Sequence, residues 1–245
     1  WLKLSSNFGF IKQSRRNVLE DSPGFNTAFI AFAADPISPV YRKGLTNIPS
    51  FLESSLFMNE IDPNDEYSWY APIIYTNKEN PVSQARIRED NVWKDIAIKG
   101  GINLDIDIMP WLKYNSRFSV DLYRGGSDGF NPKYYLDGEQ FANDATVSKY
   151  FSNTDYWVWD NVLTFQKNFN NTHQVSVMAG TSAEETRHEE TSASRQGLVN
   201  NSIYQRILNA ASMNPAVAGW KSESAMNSYF SRIFYSYDNR YMFTA

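Results

Sequence analysis

Alternation of apolar and polar residues in several long segments constrains the fold of this chain more than any other feature. It is clearest over residues 102–108, 118–122 and 155–169. A period of two places successive side chains on opposite faces of a β-strand, so each segment is predicted to be a strand with one apolar face. In the third segment, the apolar row comprises Trp157, Trp159, Leu163 and Phe165.

The predicted strands are joined by short and long connections that alternate along the chain. Residues 109–113, 168–172 and 237–240 carry Pro, Asn and Asp, as tight turns do. Short turns at one end of the strands and long loops at the other are typical of an antiparallel, up-and-down transmembrane β-barrel. The sequence therefore predicts an all-β barrel segment. Its long external loops are predicted to run roughly over Lys12–Asn91, Gly125–Asn153 and Glu184–Ser222.

The first long connection is predicted to contain a short helix. Residues 25–33 place apolar side chains at helical spacing, and the Asp35-Pro36 pair ends the segment. The remainder of this connection is rich in Pro and Asn, and "NKENPVSQ" at Asn77–Gln84 is predicted to be loop.

Two segments of the chain have closely similar sequences. "WLKLSSNFGF" at Trp1–Phe10 aligns without gaps on "WLKYNSRFSV" at Trp111–Val120. Because the second segment follows a predicted short turn, both are expected to begin strands at the same end of the sheet. Their tryptophans are then expected at the same membrane interface, where aromatic rings are common.

Composition excludes several classes of protein. The chain has no cysteine, which excludes disulfides and thiolate metal sites. Its net charge of −4 and its scattered basic residues argue against a nucleic-acid partner. No run approaches the roughly 18 to 20 apolar residues that a membrane-spanning helix requires.

Five segments carry a specific resemblance. They are "ADPISPVY" (Ala34–Tyr41), "YTNKENPVSQ" (Tyr75–Gln84), "VMAGTSAEE" (Val177–Glu185), "LNAASMNP" (Leu208–Pro215) and the final Lys221–Ala245, which is the most specific. In order and spacing they resemble the barrel of SusC/RagA-type TonB-dependent outer-membrane transporters. The resemblance covers most of this chain but only part of such a transporter.

The resemblance implies a fold, a location and partners. Residues 1–245 are expected to be part of a TonB-dependent receptor barrel of about 22 strands, of which about seven are read here; the signal peptide, plug and remaining strands are absent. Such transporters import glycans, or peptides in some members, across the bacterial outer membrane. A SusD-like lipoprotein lid covers the external loops, and TonB supplies energy through an N-terminal region that this segment lacks.

The barrel interpretation assigns the aromatic rows to the membrane. Trp1, Trp111, Trp157, Trp159, Leu163 and Phe165 are expected to face outer-membrane lipid or its interface. Asn161 interrupts the last of these rows and needs a hydrogen-bond partner if the row faces lipid.

Candidate catalytic and metal sites are weak. Asp105 and Asp107 share a strand face, as paired catalytic carboxylates would, but a solvated polar face explains them better. The segment "EETRHEE" at Glu184–Glu190 offers carboxylates and His188 as metal ligands, yet a solvated external loop is the favoured interpretation. "DPNDE" at Asp62–Glu66 lacks the glycine and the terminal glutamate of an EF-hand. We therefore expect no catalysis, no cofactor and no metal.

Substrate recognition is predicted at aromatic residues of the loops. Tyr67, Trp69 and Tyr70 lie in "EYSWYAP", and Trp220 precedes the last hairpin. Such rings could stack on sugar faces, although loop aromatics often pack only their own loop. Two other functions stay open, each with its own prediction. A soluble β-sandwich carbohydrate-binding module predicts two packed sheets, and a glycoside hydrolase predicts a cleft with two acids.

Overall fold

The computed structural model describes residues 1–16, 27–36, 38–41, 67, 70–71, 80–136, 141–170 and 172–245. The predicted sites at Trp69 and at Asp62–Glu66 lie outside the described residues.

A single seven-stranded antiparallel sheet dominates the described part of the chain. Its strands are β1 (Leu2–Arg16), β2 (Val92–Met109), β3 (Leu112–Asn131), β6 (Thr146–Phe169), β7 (His173–Gln196), β8 (Met213–Tyr237) and β9 (Tyr241–Thr244). They lie side by side in chain order, whereas β4 (Tyr134–Tyr135) pairs separately with β5 (Phe141–Ala142). The prediction of an up-and-down all-β fold is confirmed. The two packed sheets of a sandwich are not seen among the described residues.

The strands are longer than the sequence pattern predicts. β3 continues to Asn131 and β6 begins at Thr146, while β7 continues to Gln196 and β8 begins at Met213. The predicted loops over 125–153 and 184–222 are therefore wrong in extent. The polar residues that suggested loops pair across neighbouring strands; for example, the Lys221 ammonium lies 2.9 Å from the Glu189 carboxylate.

The predicted short turns are confirmed. β2 and β3 are separated only by residues 110–111, and β6 and β7 only by residues 170–172. Asp238, Asn239 and Arg240 lie between β8 and β9, and the first two have φ values of 51° and 54°. Two successive positive φ values are those of a type I′ turn, whose twist matches that of the flanking strands.

The two similar segments both begin strands at the end of the sheet where the turns lie. The carbonyl of Trp1 accepts a hydrogen bond from the Asp107 amide, and the carbonyl of Trp111 accepts one from the Gln166 amide, each at 2.8 Å. β1 and β3 start at the next residue in each case. The structural equivalence predicted from the repeated sequence is therefore confirmed.

Two helices lie in the first long connection. α1 (Thr27–Ala33) confirms the predicted short helix. α2 (Pro81–Arg88) corrects the prediction of loop for this region. The Asn80 side chain accepts hydrogen bonds from the amides of Val82 and Ser83, so the Asn-Pro pair begins a helix here. No helix in the described ranges has the length and apolarity needed to cross a membrane.

A small hydrophobic cluster packs at the end of the sheet opposite the turns. Next to the cluster, the Asn80 side-chain amide donates hydrogen bonds to the carbonyls of Val40 and Ala71, at 3.0 and 2.8 Å. The cluster therefore joins the first connection to the far ends of β3, β6 and β7. Its buried members are Tyr67, Ile87, Phe130, Ala145, Val147, Leu198 and Ala211.

Candidate functional site: the polar face of the sheet

Strand register sorts the side chains of the sheet onto two faces. Ile102 pairs with Phe118, Phe118 with Trp159, and Trp159 with Ala183, so these four residues share one face. We call this the apolar face. Other members are Leu2, Leu4, Phe8 and Phe10 in β1, Ile98, Leu104 and Ile106 in β2, Leu112, Val120 and Leu122 in β3, Trp157, Leu163 and Phe165 in β6, Val177 and Ala179 in β7, and Tyr229, Ile233 and Tyr235 in β8.

The apolar face forms a band next to the turns. On β1 it runs over residues 2–10, on β3 over 112–122, and on β6 over 157–165. A tilted strand crosses a bilayer with about 9 to 11 residues, which matches these lengths. Beyond the band, in the half of the sheet away from the turns, the same face carries charged side chains, including Arg124, Asp155 and Lys221.

Asn161 has hydrogen-bond partners within the apolar band. Its side-chain oxygen accepts from the Tyr114 hydroxyl at 2.6 Å and from the Ser116 hydroxyl at 2.9 Å. The Trp159 indole in turn donates to the Ser116 oxygen at 3.0 Å. Asn161 therefore has the hydrogen-bond partners that it needs if its row of apolar residues faces lipid.

Aromatic and basic side chains meet at the edge of the band near the turns. The rings of Trp111 and Phe165 make an edge contact with centroids 5.5 Å apart. The Lys167 ammonium lies 5.8 Å from the Trp111 centroid and 5.2 Å from that of Phe169. Rings beside a cation are typical of a membrane interface.

The opposite face, which we call the polar face, is hydrophilic beside the apolar band. The Asn115 amide donates to Asn103 at 2.8 Å and to Asp105 at 2.6 Å. The Asp107 carboxylate lies 3.7 Å from the Lys113 ammonium. Because amides and a lysine compensate both carboxylates, the arrangement supports the interpretation of Asp105 and Asp107 as a hydrophilic surface rather than a catalytic pair.

A continuous set of aromatic and charged side chains crosses the polar face in the half of the sheet away from the turns. We call it the polar-face belt. Its members lie on six strands and are Arg15, Trp93, Tyr123, Tyr150, His188, Glu190 and Trp220. Of these seven residues, only Trp220 was among the substrate-binding residues predicted from the sequence. Apart from His188 and Glu190, which share β7, the members lie on different strands and are brought together by strand register.

Trp93 is the centre of one half of the belt. The Arg15 guanidinium lies 5.7 Å from its ring, and the Tyr150 ring lies 5.5 Å away. Its indole donates to the Tyr123 hydroxyl at 3.2 Å. Gly125 permits this contact, because a Cβ there would lie 2.5 Å from the Tyr123 oxygen.

Glu190 is the centre of the other half. Its carboxylate accepts from the Trp220 indole at 2.6 Å and from the His188 Nε2 at 2.9 Å. The His188 Nδ1 faces the Thr154 hydroxyl at 2.8 Å, and the His188 and Trp220 rings lie 4.9 Å apart. These contacts fix the orientation of the Trp220 ring while leaving it 52% exposed.

The hydrogen bonds to Glu190 also fix its charge. Donation from Tyr150, and then from His188 and Trp220, holds the pKa of the Glu190 carboxyl below its usual value. The same contact with Glu190 raises the pKa of the Tyr150 hydroxyl. At neutral pH the belt therefore presents the exposed Trp220 ring beside the Glu190 carboxylate at one end, and half-buried rings beside the Arg15 guanidinium at the other.

The segment "EETRHEE" lies on strand β7, not in the predicted loop. Because side chains alternate along β7, Glu185, Arg187 and Glu189 lie on the apolar face, whereas His188 and Glu190 lie on the polar face. Arg187 pairs with Glu185, and its guanidinium lies 3.6 Å from Glu223. No group of three metal-ligating side chains occurs within the described residues.

Tyr67 and Tyr70, two of the other predicted binding residues, lie in packed surroundings. Tyr67 is 1% exposed, and its hydroxyl faces Asp90 at 3.4 Å. Tyr70 is buried and its ring lies 5.3 Å from that of Tyr41. The Tyr67 ring packs in the hydrophobic cluster at the end of the sheet, and the Tyr70 ring packs against Tyr41. The role of both residues in substrate binding stays a prediction.

Comparison with known proteins agrees with this architecture. No family model matches the sequence. The chain is 28% identical over 138 residues to the TonB-dependent receptor P3 of Formosa agariphila, a match that covers 56% of this chain and 14% of that protein. The structure of the RagAB peptide transporter matches 97% of this chain and 24% of its own, with a TM-score of 0.71 and 14% identity. The resemblance to TonB-dependent transporters is confirmed.

The RagAB peptide importer in its 'closed-closed' state is also similar, with a TM-score of 0.68, 15% identity, and coverage of 97% of this chain and 24% of that chain. The chain thus spans a quarter or less of the length of these relatives. Its fold is that of part of a TonB-dependent transporter barrel, and the predicted location in the bacterial outer membrane is confirmed with it.

Proposed function

We propose that residues 1–245 form part of the barrel of an outer-membrane active transporter. In this proposal, the polar face lines the import path, and the polar-face belt contacts the substrate near its external end. The observation that carries the proposal is the exposed Trp220 ring, held by Glu190 and His188 in one continuous row with Trp93 and Tyr150. Import requires no catalytic residue in this segment.

The apolar face contacts lipid in this proposal. Trp157, Trp159, Leu163 and Phe165 face the bilayer, and Trp111 lies at the interface near the turns. Trp1 begins a strand at the same end of the sheet and has the same interfacial role. The length of the apolar band and the paired polar atoms around Asn161 support this orientation.

The partners follow from the similarity to complete transporters. A SusD-like lipoprotein binds over the external loops, and TonB supplies energy through parts of the full-length protein outside residues 1–245. The similarity to the RagAB structures supports this arrangement.

Glycans are the first candidate substrates. Aromatic rings stack on the apolar faces of sugars. The Glu190 carboxylate can accept hydrogen bonds at the ring edges, and nearby hydroxyls can accept or donate them. Peptides are the second candidate, favoured by the similarity to the RagAB peptide transporter. Both kinds of substrate would enter by the same path.

Uptake by cells that express the full-length protein tests the proposal. Labelled oligosaccharides and labelled peptides are supplied to cells with wild-type protein, Trp220→Ala or Trp159→Ala. The two tryptophans are matched in exposure, at 52% and 49%, but lie on opposite faces. We expect Trp220→Ala to reduce uptake about twofold to tenfold, since a lost aromatic contact is worth about 0.5–1.5 kcal/mol. We expect Trp159→Ala to retain uptake.

Equal uptake by the wild type and Trp220→Ala would contradict the role of the belt. Protein that is absent from the outer membrane, or that lacks the heat-dependent gel mobility of a closed barrel, would contradict the transporter itself. The class of labelled molecule that accumulates decides between glycan and peptide.

A further inference from the structure

A groove on the charged part of the apolar face is separate from the polar-face belt. It has a volume of about 550 Å³. We call it the outer groove, and its lining residues on this face include Lys12, Lys94, Ile96, Arg124, Asp128 and Phe151. It lies immediately beyond Phe10, Ile98 and Leu122, which end the apolar band on β1, β2 and β3.

A glycine forms the floor of the outer groove. Gly126 pairs with Lys94 on one side and Phe151 on the other. A Cβ at this position would lie 2.5 Å from the carbonyl oxygen of Tyr150 and 3.3 Å from the Phe151 ring. The missing side chain therefore leaves a depression between a cation and an aromatic ring.

The charge of the outer groove is predominantly positive. Three cations, Lys12, Lys94 and Arg124, line it on the apolar-face side, against the single carboxylate of Asp128. A second lining carboxylate, Asp95, belongs to the opposite face by strand alternation. Arg124 pairs with Asp155 at 2.5 Å, and Lys94 lies 3.8 Å from Asp128. Lys12 has no ion pair with any residue in the described ranges.

The outer groove also offers apolar contact. Ile96 and Phe151 are both exposed and lie among the cations. A ligand that fills the groove therefore needs a negative charge for Lys12, Lys94 and Arg124, together with an apolar part that continues along the band below. Membrane lipids with phosphate headgroups have both features in this order.

We propose that the outer groove binds the phosphate-bearing headgroup of an outer-membrane lipid, with the lipid's acyl chains lying along the apolar band. Lys12, Lys94 and Arg124 contact the phosphate, and Ile96 and Phe151 contact the neighbouring apolar atoms. The inference rests on the proposed function only in requiring that the apolar face contact lipid. It assigns a specific ligand to the charged surface immediately beyond the apolar band.

Native mass spectrometry of the full-length detergent-purified protein tests the inference, with monophosphoryl lipid A as the lipid probe and inorganic phosphate as the free-anion probe. The test variant is Lys12→Gln/Lys94→Gln/Arg124→Gln. A matched control, Lys3→Gln/Lys99→Gln/Lys113→Gln, removes three cations from the opposite face of the same strands. We expect about a fivefold loss of lipid affinity for each groove cation removed, and wild-type affinity in the control.

Each outcome decides the question. Lipid binding that falls only in the groove variant, with no binding of inorganic phosphate at equal concentration, supports the proposal. Equal lipid binding by both variants would show non-specific association and overturn it. Binding of inorganic phosphate that displaces the lipid would show an anion site rather than a lipid site and would also overturn it. The heat-dependent gel mobility of each sample separates these results from failure of the barrel.

Discussion

The Trp220 indole donates a 2.6 Å hydrogen bond to the Glu190 carboxylate on the neighbouring strand. The bond joins an exposed ring to a residue whose charge is held by two further donors, Tyr150 and His188. The orientation of the ring therefore depends on the ionisation of one carboxyl group.

The first prediction concerns the pH at which Trp220 loses this constraint. The pKa of Glu190 is lowered in the folded protein, so the stabilisation from its ionised form is complete above the unfolded-state pKa. That stabilisation is lost as the pH falls through the lowered folded-state pKa. The difference in tryptophan fluorescence between the wild type and Trp220→Phe should therefore change with pH only below the pH range in which carboxyl groups usually titrate. Glu190→Gln should abolish the change, and a midpoint above that range would contradict the assignment.

A second prediction tests which face contacts lipid. Phe118 and Ser119 are adjacent in β3 but lie on the apolar and polar faces. Phe118→Arg should destabilise the barrel by about 2–4 kcal/mol, the cost of an arginine in the bilayer interior. Ser119→Arg should cost much less because it faces water. Urea unfolding of the full-length protein in vesicles measures both, and equal costs would contradict the orientation.

A third prediction concerns the close approach of strands at Gly126. A Cβ there would meet the backbone oxygen of Tyr150 at 2.5 Å, whereas a Cβ at Gly9 would lie 3.7 Å from the nearest backbone atom. Gly126→Ala should therefore cost about 1–3 kcal/mol, as overpacking does. Gly9→Ala should be neutral or slightly stabilising. The two variants are compared by the temperature at which the gel band of the folded barrel disappears. A lower temperature for Gly9→Ala than for Gly126→Ala would refute the close contact.

A fourth prediction concerns Asn80, which joins α2 to the rest of the external connection. Its replacement by alanine removes the helix cap and leaves the carbonyls of Val40 and Ala71 without this donor. The local cost should be about 1–3 kcal/mol. Protease added to intact cells should cleave Asn80→Ala faster than the wild type or Asn200→Ala. The Asn200 side chain accepts an exposed local hydrogen bond from the Ser202 amide. Unchanged cleavage of Asn80→Ala would contradict this role.

The faces of the sheet could be predicted from sequence because apolar and polar residues alternate with a strict period of two in the apolar band. Ile102, Phe118 and Trp159 each lie in an alternating segment, and they meet on one face. In the halves of the strands away from the turns, side chains alternate between the two faces in the same way, but many of them are charged. Lys221 and Glu189 resemble loop residues individually, and only their pairing across β7 and β8 shows that they belong to strands.

The polar-face belt could not be predicted because it depends on register. Arg15 and Trp220 belong to strands that begin more than half the chain apart, and Trp93 becomes the neighbour of Tyr150 only when β3 lies between them with a defined offset. Helix α2 was missed for a different reason. The Asn80-Pro81 pair that begins it has the same composition as a turn, although Asn at the cap and Pro at the first helical position favour a helix.

The paired strands β6 and β7 are each 24 residues long, and their pairing continues from Phe169 and His173 to Thr146 and Gln196 without a bulge. β3 pairs with β6, and β8 pairs with β7, along most of the same length. The distance between the turns and the positions of Tyr150 and Glu190 is therefore set by hydrogen-bonded strand and not by loop. A displacement of the sheet near the turns would move both residues together with the strands that carry them.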